Sequence, residues 1–405
     1  MITMSFSSKI KRMNMKKFSR RNLTRINLTR INLTTLLLFC MTSIVQAVVL
    51  PVPAAPDVNA KNYLLVDVLT GKVLAEKNAG DRIEPASLTK IMTVYVAAHE
   101  LKDGNIHMDD VVTTSKKAWQ MKGSKMFLNI GDKVTVEQLL HGIIIQSGND
   151  ASVALAEHIS GTEDVFTALM NLHAQELGMD NTHYTDATGW PNPDHYTTAE
   201  DLYKLTKALI NEFPDIYALF KIKEYTYGGI TQHNRNNLLW RDESVDGVKT
   251  GHTESAGYCL ISSAVRKGTR LISIVLGSSS KEARIDASQS LLNYGFRFFE
   301  SHKLKEANQP LTEARVWLGL ADTVKLGIEE DLNVVIPRRQ YEHLEAKMDI
   351  ESQIKAPISK GDTFGTLTVT LEGKEVASVP LVALESVEEA GLVKRLMDKA
   401  KLLLK

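Results

Sequence analysis

Two hydrophobic textures divide the chain. Short apolar alternations at residues 63–68 and 73–76 flank Leu69-Thr70-Gly71-Lys72, the pattern of a β-hairpin. Helical periodicity then runs through 87–101, 134–145, 151–159, 164–177 and 198–212. Near Asp246 the pattern returns to strands. Residues 258–265 and 270–276 enclose Arg266-Lys267-Gly268-Thr269 as a second hairpin, and a last helix is expected over 282–301. Strand, helices, then strands predict one antiparallel sheet assembled from both ends of a domain, flanked by helices, with a helical subdomain between. The fold class is therefore α+β. After residue 302 the texture becomes short alternations and turns, clearest at 366–371 and 376–384 around Glu372-Gly373-Lys374. We place domain boundaries at 48–302 for the first domain, 303–386 for a small all-β domain and 387–405 for a terminal helix.

The two ends carry patterns of their own. The first 35 residues hold nine basic side chains (Lys9, Lys11, Arg12, Lys16, Lys17, Arg20, Arg21, Arg25, Arg30) and no acidic one. An apolar run over 36–45 and Gln46-Ala47 follow, which together describe an export signal over 1–47. About ten apolar residues are too few to span a bilayer. At the other end, Leu392, Val393, Leu396, Met397, Ala400, Leu403 and Leu404 share an arc of roughly 140° on a helix. Lys394, Arg395, Lys399, Lys401 and Lys405 lie outside that arc. Such a helix suits a membrane interface with anionic headgroups. Docking of the same stripe on the protein itself is the alternative.

Charge changes the picture once the leader is removed. The whole chain balances 48 basic against 48 acidic residues; without the leader's nine cations it is 39 against 48, a net charge of −9. That balance argues against a nucleic-acid partner, which wants a basic stripe. Cys40 departs with the leader and leaves Cys259 alone, so no intrachain disulfide is expected. The eleven histidines are scattered without metal-ligand spacing, and neither a metal nor a cofactor is expected.

Three short motifs bear the chemistry: Ser87-Leu88-Thr89-Lys90, Ser147-Gly148-Asn149 and Lys249-Thr250-Gly251, separated by about 60 and about 100 residues. Ser-x-x-Lys alone means little, since it begins at Ser8, Ser87, Ser278 and Ser352. At the start of a helix, however, Ser87 and Lys90 share one face. The helix N-terminus also favours negative charge developing at the serine oxygen. A serine needs a proton acceptor to become a nucleophile. Lys90 serves only if neutral, which requires burial or a neighbouring cation such as Lys249. Ser147 and Asn149 can present a hydroxyl and an amide across Gly148, although an ordinary turn uses the same residues. Lys249, on the penultimate strand of the expected sheet, can fix a substrate carboxylate with Thr250, while Gly251 lets backbone approach backbone. Together the motifs form a kit for acyl transfer from a substrate bearing a carboxylate.

These motifs resemble the active-site motifs of serine penicillin-binding proteins and serine β-lactamases. The segments Pro85 to Thr93, Gln146 to Ala151 and Asp246 to Thr253 are similar to the type-5 low-molecular-mass penicillin-binding proteins, the D-alanyl-D-alanine carboxypeptidases of peptidase family S11. The resemblance extends over the β-domain and terminal helix. It implies a penicillin-binding-protein-like catalytic domain in which Ser87 attacks the bond between the terminal D-alanines of a peptidoglycan pentapeptide. It further implies Lys90 as base, Ser147 as proton relay, and Lys249 with Thr250 on the terminal carboxylate. The backbone N–H groups of Ser87 and His252 would form the oxyanion hole, with Asn149 and Arg235 as secondary contacts. β-Lactam antibiotics would acylate Ser87. The expected location is the periplasmic face of the inner membrane, held peripherally by the terminal helix.

A class A β-lactamase would need Glu-x-x-x-Asn between the second and third motifs. The match found, Glu329 to Asn333, follows Lys249 and falls in the expected β-domain. Endopeptidase and transpeptidase readings share the same acyl-enzyme and differ only in the acceptor. A catalytically silent envelope-binding protein is disfavoured by the intact motifs.

Overall fold

The computed structural model describes residues 2–5 and 52–403. Of the expected leader, Ile2–Ser5 is described as a strand paired with Leu344–Ile350; the rest, Cys40 included, lies outside the described residues. The chain forms two compact units, one of Ala54–Gln309 with Ile328–Arg338, the other of Met1–Pro53, Pro310–Gly327 and Arg339–Lys405.

The first unit is built on a five-stranded antiparallel sheet. Its spatial order is Val73–Lys77, Asn62–Asp67, Thr269–Ser278, Gly257–Arg266 and Val245–Thr253. Asn62–Asp67 pairs with Thr269–Ser278, joining strands about 200 residues apart in the chain. The strand carrying Lys249 lies at the edge of this sheet, one place further out than expected, because among the described residues the one strand that Val245–Thr253 pairs with is Gly257–Arg266. Two small two-stranded sheets escape the sequence pattern. Val111–Thr113 pairs with Lys133–Thr135, and Glu224–Tyr227 with Ile230–His233. Each strand has three or four residues, too few for a period to declare itself.

Lys90–Lys102 is a helix whose first nine residues are all buried. A helix apolar all round belongs inside a domain rather than on its surface. It joins a core that also takes Leu64, Val66, Ile272 and Ile274 from the sheet. Lys281–Phe298 is capped by Ser280, whose hydroxyl accepts the Ala283 N–H at 3.0 Å. This helix stops at Phe298, short of the expected Ser301, because Phe299–Lys305 is a strand paired with Leu332–Pro337. Ser301 Oγ donates to Asp67 Oδ2 at 2.5 Å, and Lys72 Nζ donates to the Val335 carbonyl at 3.4 Å. Those contacts bring 328–338 into the first unit, so the unit boundary falls at 309/310 rather than 302/303. Glu329 to Asn333 therefore sits in the first unit and not in the β-unit; neither residue lines its cleft.

Among the described residues the second unit is all-β apart from a short 3-10 turn and its last helix, around a core of Val316, Val324, Leu326, Ile354, Ile358 and Val387. Thr363–Leu371 and Lys374–Ala383 form its long hairpin. Leu392–Leu403 is the terminal helix, shorter than expected at 12 residues. It docks through polar groups. Asp398, 6% exposed, accepts the Leu318 N–H at 2.9 Å, and Lys394 Nζ donates to the Leu320 carbonyl at 3.0 Å. Its apolar stripe faces outward, with Leu392 and Val393 75%, Leu396 64% and Leu403 88% exposed.

One buried carboxylate shapes the region around the second motif. Asp150 Oδ1 accepts the N–H groups of Met126 at 2.8 Å and Ala151 at 2.9 Å, and Oδ2 those of Phe127 at 2.9 Å and Leu128 at 3.2 Å. A fully buried acid is tolerated when donors surround it. Asp150→Ala should lower stability by about 3 kcal/mol or more, since it orphans buried N–H groups. A urea-unfolding midpoint within error of the parent protein would contradict this account of the loop.

Candidate active site

The nucleophile segment enters the first unit under strain. Ala86 holds φ +49, uncommon for a residue with a side chain, and a 3-10 turn Ala86–Thr89 leads into helix Lys90–Lys102. The i, i+3 spacing puts Lys90 Nζ 3.1 Å from Ser87 Oγ. The amine also donates to the Thr188 carbonyl at 2.6 Å. Lys90 is 0% exposed, and burial brings its pKa down to about 7. Asp186 and Asp150 oppose that fall, whereas Arg235 adds to it. Arg235 is thus a cation that lowers Lys90 further, and Lys90 and Lys249 repel one another as well. Repulsion between the lysines registers on Lys249, which burial first, then Lys90, Arg235 and Arg284, push well below the ordinary lysine range.

The second motif follows a π-helical turn, Gly142–Gln146, a feature frequent at functional sites. Ser147 adopts φ +67, is 2% exposed, and its Oγ has no hydrogen-bond partner among the described residues. A buried hydroxyl left in this state points to a substrate contact. Asn149 Nδ2 donates to the Lys122 carbonyl at 2.7 Å, which leaves its unpartnered Oδ1 as the atom able to accept from a ligand.

The third motif lies on the edge strand. Lys249 is 2% exposed and its Nζ donates to the Thr250 carbonyl at 3.2 Å. At Gly251 a Cβ would fall 3.0 Å from the Pro85 carbonyl oxygen and 3.3 Å from Ala86 Cβ, so the absent side chain lets the strand press against the nucleophile turn. Arg235 braces the second motif, its Nε donating to the Gln146 carbonyl at 3.0 Å. The His252 ring packs on Tyr258 with centroids 4.0 Å apart. Arg284, buried behind this strand, donates to the Gly251 carbonyl at 3.1 Å.

Ser87, Ser147, Asn149, Arg235, Thr250, Gly251 and His252 line one cleft of about 680 Å³. Lys90 and Lys249 stand behind its wall. The sequence reading missed a further stretch of the lining, Thr188, Gly189, Trp190 and Pro191. The available signal was Asp186-Ala187-Thr188-Gly189, an Asx-type turn between helical segments. Asp186 accepts from the N–H groups of Thr188 at 2.7 Å, Gly189 at 2.8 Å and Trp190 at 3.3 Å. His195, buried, places Nδ1 3.4 Å from Asp186 Oδ2 and Nε2 2.9 Å from Thr89 Oγ1.

Residues 51–280 match the family model for D-alanyl-D-alanine carboxypeptidase, and 299–389 that for the penicillin-binding protein 5 C-terminal domain. The chain is 44% identical over 352 residues to the D-alanyl-D-alanine carboxypeptidase DacC of Escherichia coli, covering 85% of this chain and 88% of the relative. Among solved structures it is similar to penicillin binding protein 5 from Haemophilus influenzae, with TM-score 0.81 and 39% identity over 83% of this chain and all of the other. It is also similar to the ampicillin-bound penicillin-binding protein D2 from Listeria monocytogenes, with TM-score 0.56 and 28% identity over 60% of this chain and all of that one.

Proposed function

The chain belongs to the D-alanyl-D-alanine carboxypeptidase family and is a serine peptidase of that activity; we propose the following roles for its residues. Ser87 Oγ attacks the carbonyl carbon between the two terminal D-alanines of a peptidoglycan stem peptide. Its proton passes to neutral Lys90. The observation that carries this role is the 3.1 Å approach of Lys90 Nζ to Ser87 Oγ while the Thr188 carbonyl occupies an N–H of the same amine. A neutral amine with one of its two hydrogens committed there keeps its lone pair available to turn toward the serine. The tetrahedral oxyanion forms against the backbone N–H groups of Ser87 and His252. Ser147 relays a proton to the departing amine, D-alanine leaves, and water then cleaves the ester at Ser87.

Lys249 and Thr250 take the substrate carboxylate. An incoming carboxylate supplies the counter-charge that Lys249 lacks, which favours its ammonium form on binding. β-Lactams acylate Ser87 by the same approach. The chain's likeness to an ampicillin-bound relative supports that reading.

Export to the periplasm and peripheral attachment through Leu392–Leu403 complete the proposal. Among the described residues no helix is long and apolar enough to cross a membrane. The outward apolar stripe and inward Asp398 support burial of that stripe in an anionic interface rather than docking on the β-unit.

Ser87→Ala should abolish both D-alanine release from a D-Ala-D-Ala peptide and labelling by a fluorescent penicillin; retained labelling would remove Ser87 from its role. Because the base works only when neutral, acylation should rise with pH through about 7 and level off above it. A flat profile across that range argues against Lys90. A chain truncated after Ser386 should leave the membrane fraction, and undiminished binding would show that the helix is not the anchor.

A further inference from the structure

We propose that Asp186 is a positioning residue for the general base, holding the Thr188 carbonyl on Lys90 and so fixing which side of the amine meets Ser87. The inference rests on Lys90 being that base. Asp186 Oδ1 gathers the Thr188, Gly189 and Trp190 N–H groups and also the Thr188 hydroxyl, at 2.7 Å. Oδ2 faces His195, whose far nitrogen reaches Thr89, the residue before Lys90. One carboxylate thereby ties the turn to the nucleophile segment at two points. A third tether comes from Thr93 Oγ1, which donates to the Ala187 carbonyl at 2.7 Å, one turn of helix beyond Lys90. Gly189 completes the fit. At φ +82 its missing Cβ would lie 1.8 Å from the Ala86 carbonyl oxygen, so only glycine lets this turn seat against the nucleophile.

Asp186 stands between the second and third motifs, in the stretch where a β-lactamase keeps its water-activating acid. It does different work here. Four donors converge on Oδ1, His195 faces Oδ2, and the residue is absent from the cleft lining. Against the opposing effect of burial, the hydrogen bonds together with His195 hold this carboxylate below the usual carboxylate range. Its charge bears on the base instead. The groups facing Lys90 are the anions Asp186 and Asp150 and the cations Arg235 and Lys249.

Two variants of the full chain separate geometry from charge. Asp186→Ala removes the acceptor that holds the turn, and Asp186→Asn keeps the shape and Oδ1 while removing the charge. The readout is the first-order rate constant of Ser87 acylation by a penicillin, measured per active site across about pH 5 to 9. Asp186→Ala should lower the high-pH plateau at least about tenfold, because the amine is no longer aimed. Asp186→Asn should keep most of the plateau but move the acid limb down by about half a pH unit or more, since an anion favouring the protonated lysine is gone. An alanine plateau within about twofold of the parent, or an asparagine limb at the parent's position, overturns the proposal. Should the alanine variant fail to fold, the asparagine limb decides. A purely structural role would lower the melting temperature and the labelled fraction without moving the limb. If the parent protein itself lacks an acid limb near about 7, the base assignment fails, and that outcome is distinct from either variant result.

Discussion

A lysine completely removed from water, with its amine against a serine hydroxyl, is the constraint from which the active unit is built. Desolvation penalises the ammonium form, and this alone turns an ordinary cation into a base useful near neutral pH. The fold meets the requirement by setting Lys90 at the start of a helix buried on every side for nine residues. An amphipathic surface helix would have left the amine in water. The neighbouring charges act as adjustments: Asp186 and Asp150 raise the pKa and Arg235 lowers it, both smaller than burial.

Two aspartates, Asp150 fully buried and Asp186 partly buried, organise the walls of the cleft in the same way. Asp150 collects backbone N–H groups from 126–128, and Asp186 collects them from 188–190. Each acid is satisfied by donors that would otherwise be orphaned, so charge burial and loop ordering solve one another's problem. The third wall is the edge strand, whose Gly251 sits close to the nucleophile turn. Ser87 on the cleft surface, with Lys90 and Lys249 behind its wall, thereby come together from segments about 160 residues apart.

Much of this was legible in the sequence, and its limits are physical. The long elements showed because 62–67, 90–102 and 257–278 have enough residues for a period to repeat. The motif residues showed because serine, lysine and glycine at those intervals have few other joint uses. Asp186 and His195 stayed hidden because, apart from each other, their partners are backbone atoms and threonine hydroxyls, which leave no spacing to detect. The compact units divide the chain differently from the expected domains because 328–338 is claimed by a pairing with Phe299–Lys305, and alternation alone does not say which strand lies next to which. The terminal helix was legible as amphipathic, but its docking through Asp398 depends on a single contact to the Leu318 N–H.

The central claim is that Lys90 is neutral at working pH because it is buried against Ser87. Lysine labelled with carbon-13 at Cε, with the Lys90 signal assigned by its loss in Lys90→Arg, lets that amine be titrated directly by NMR. A midpoint at about 7 is the predicted result. A midpoint near the ordinary value of 10.5 would contradict the account, because an ammonium at that position cannot accept the serine proton.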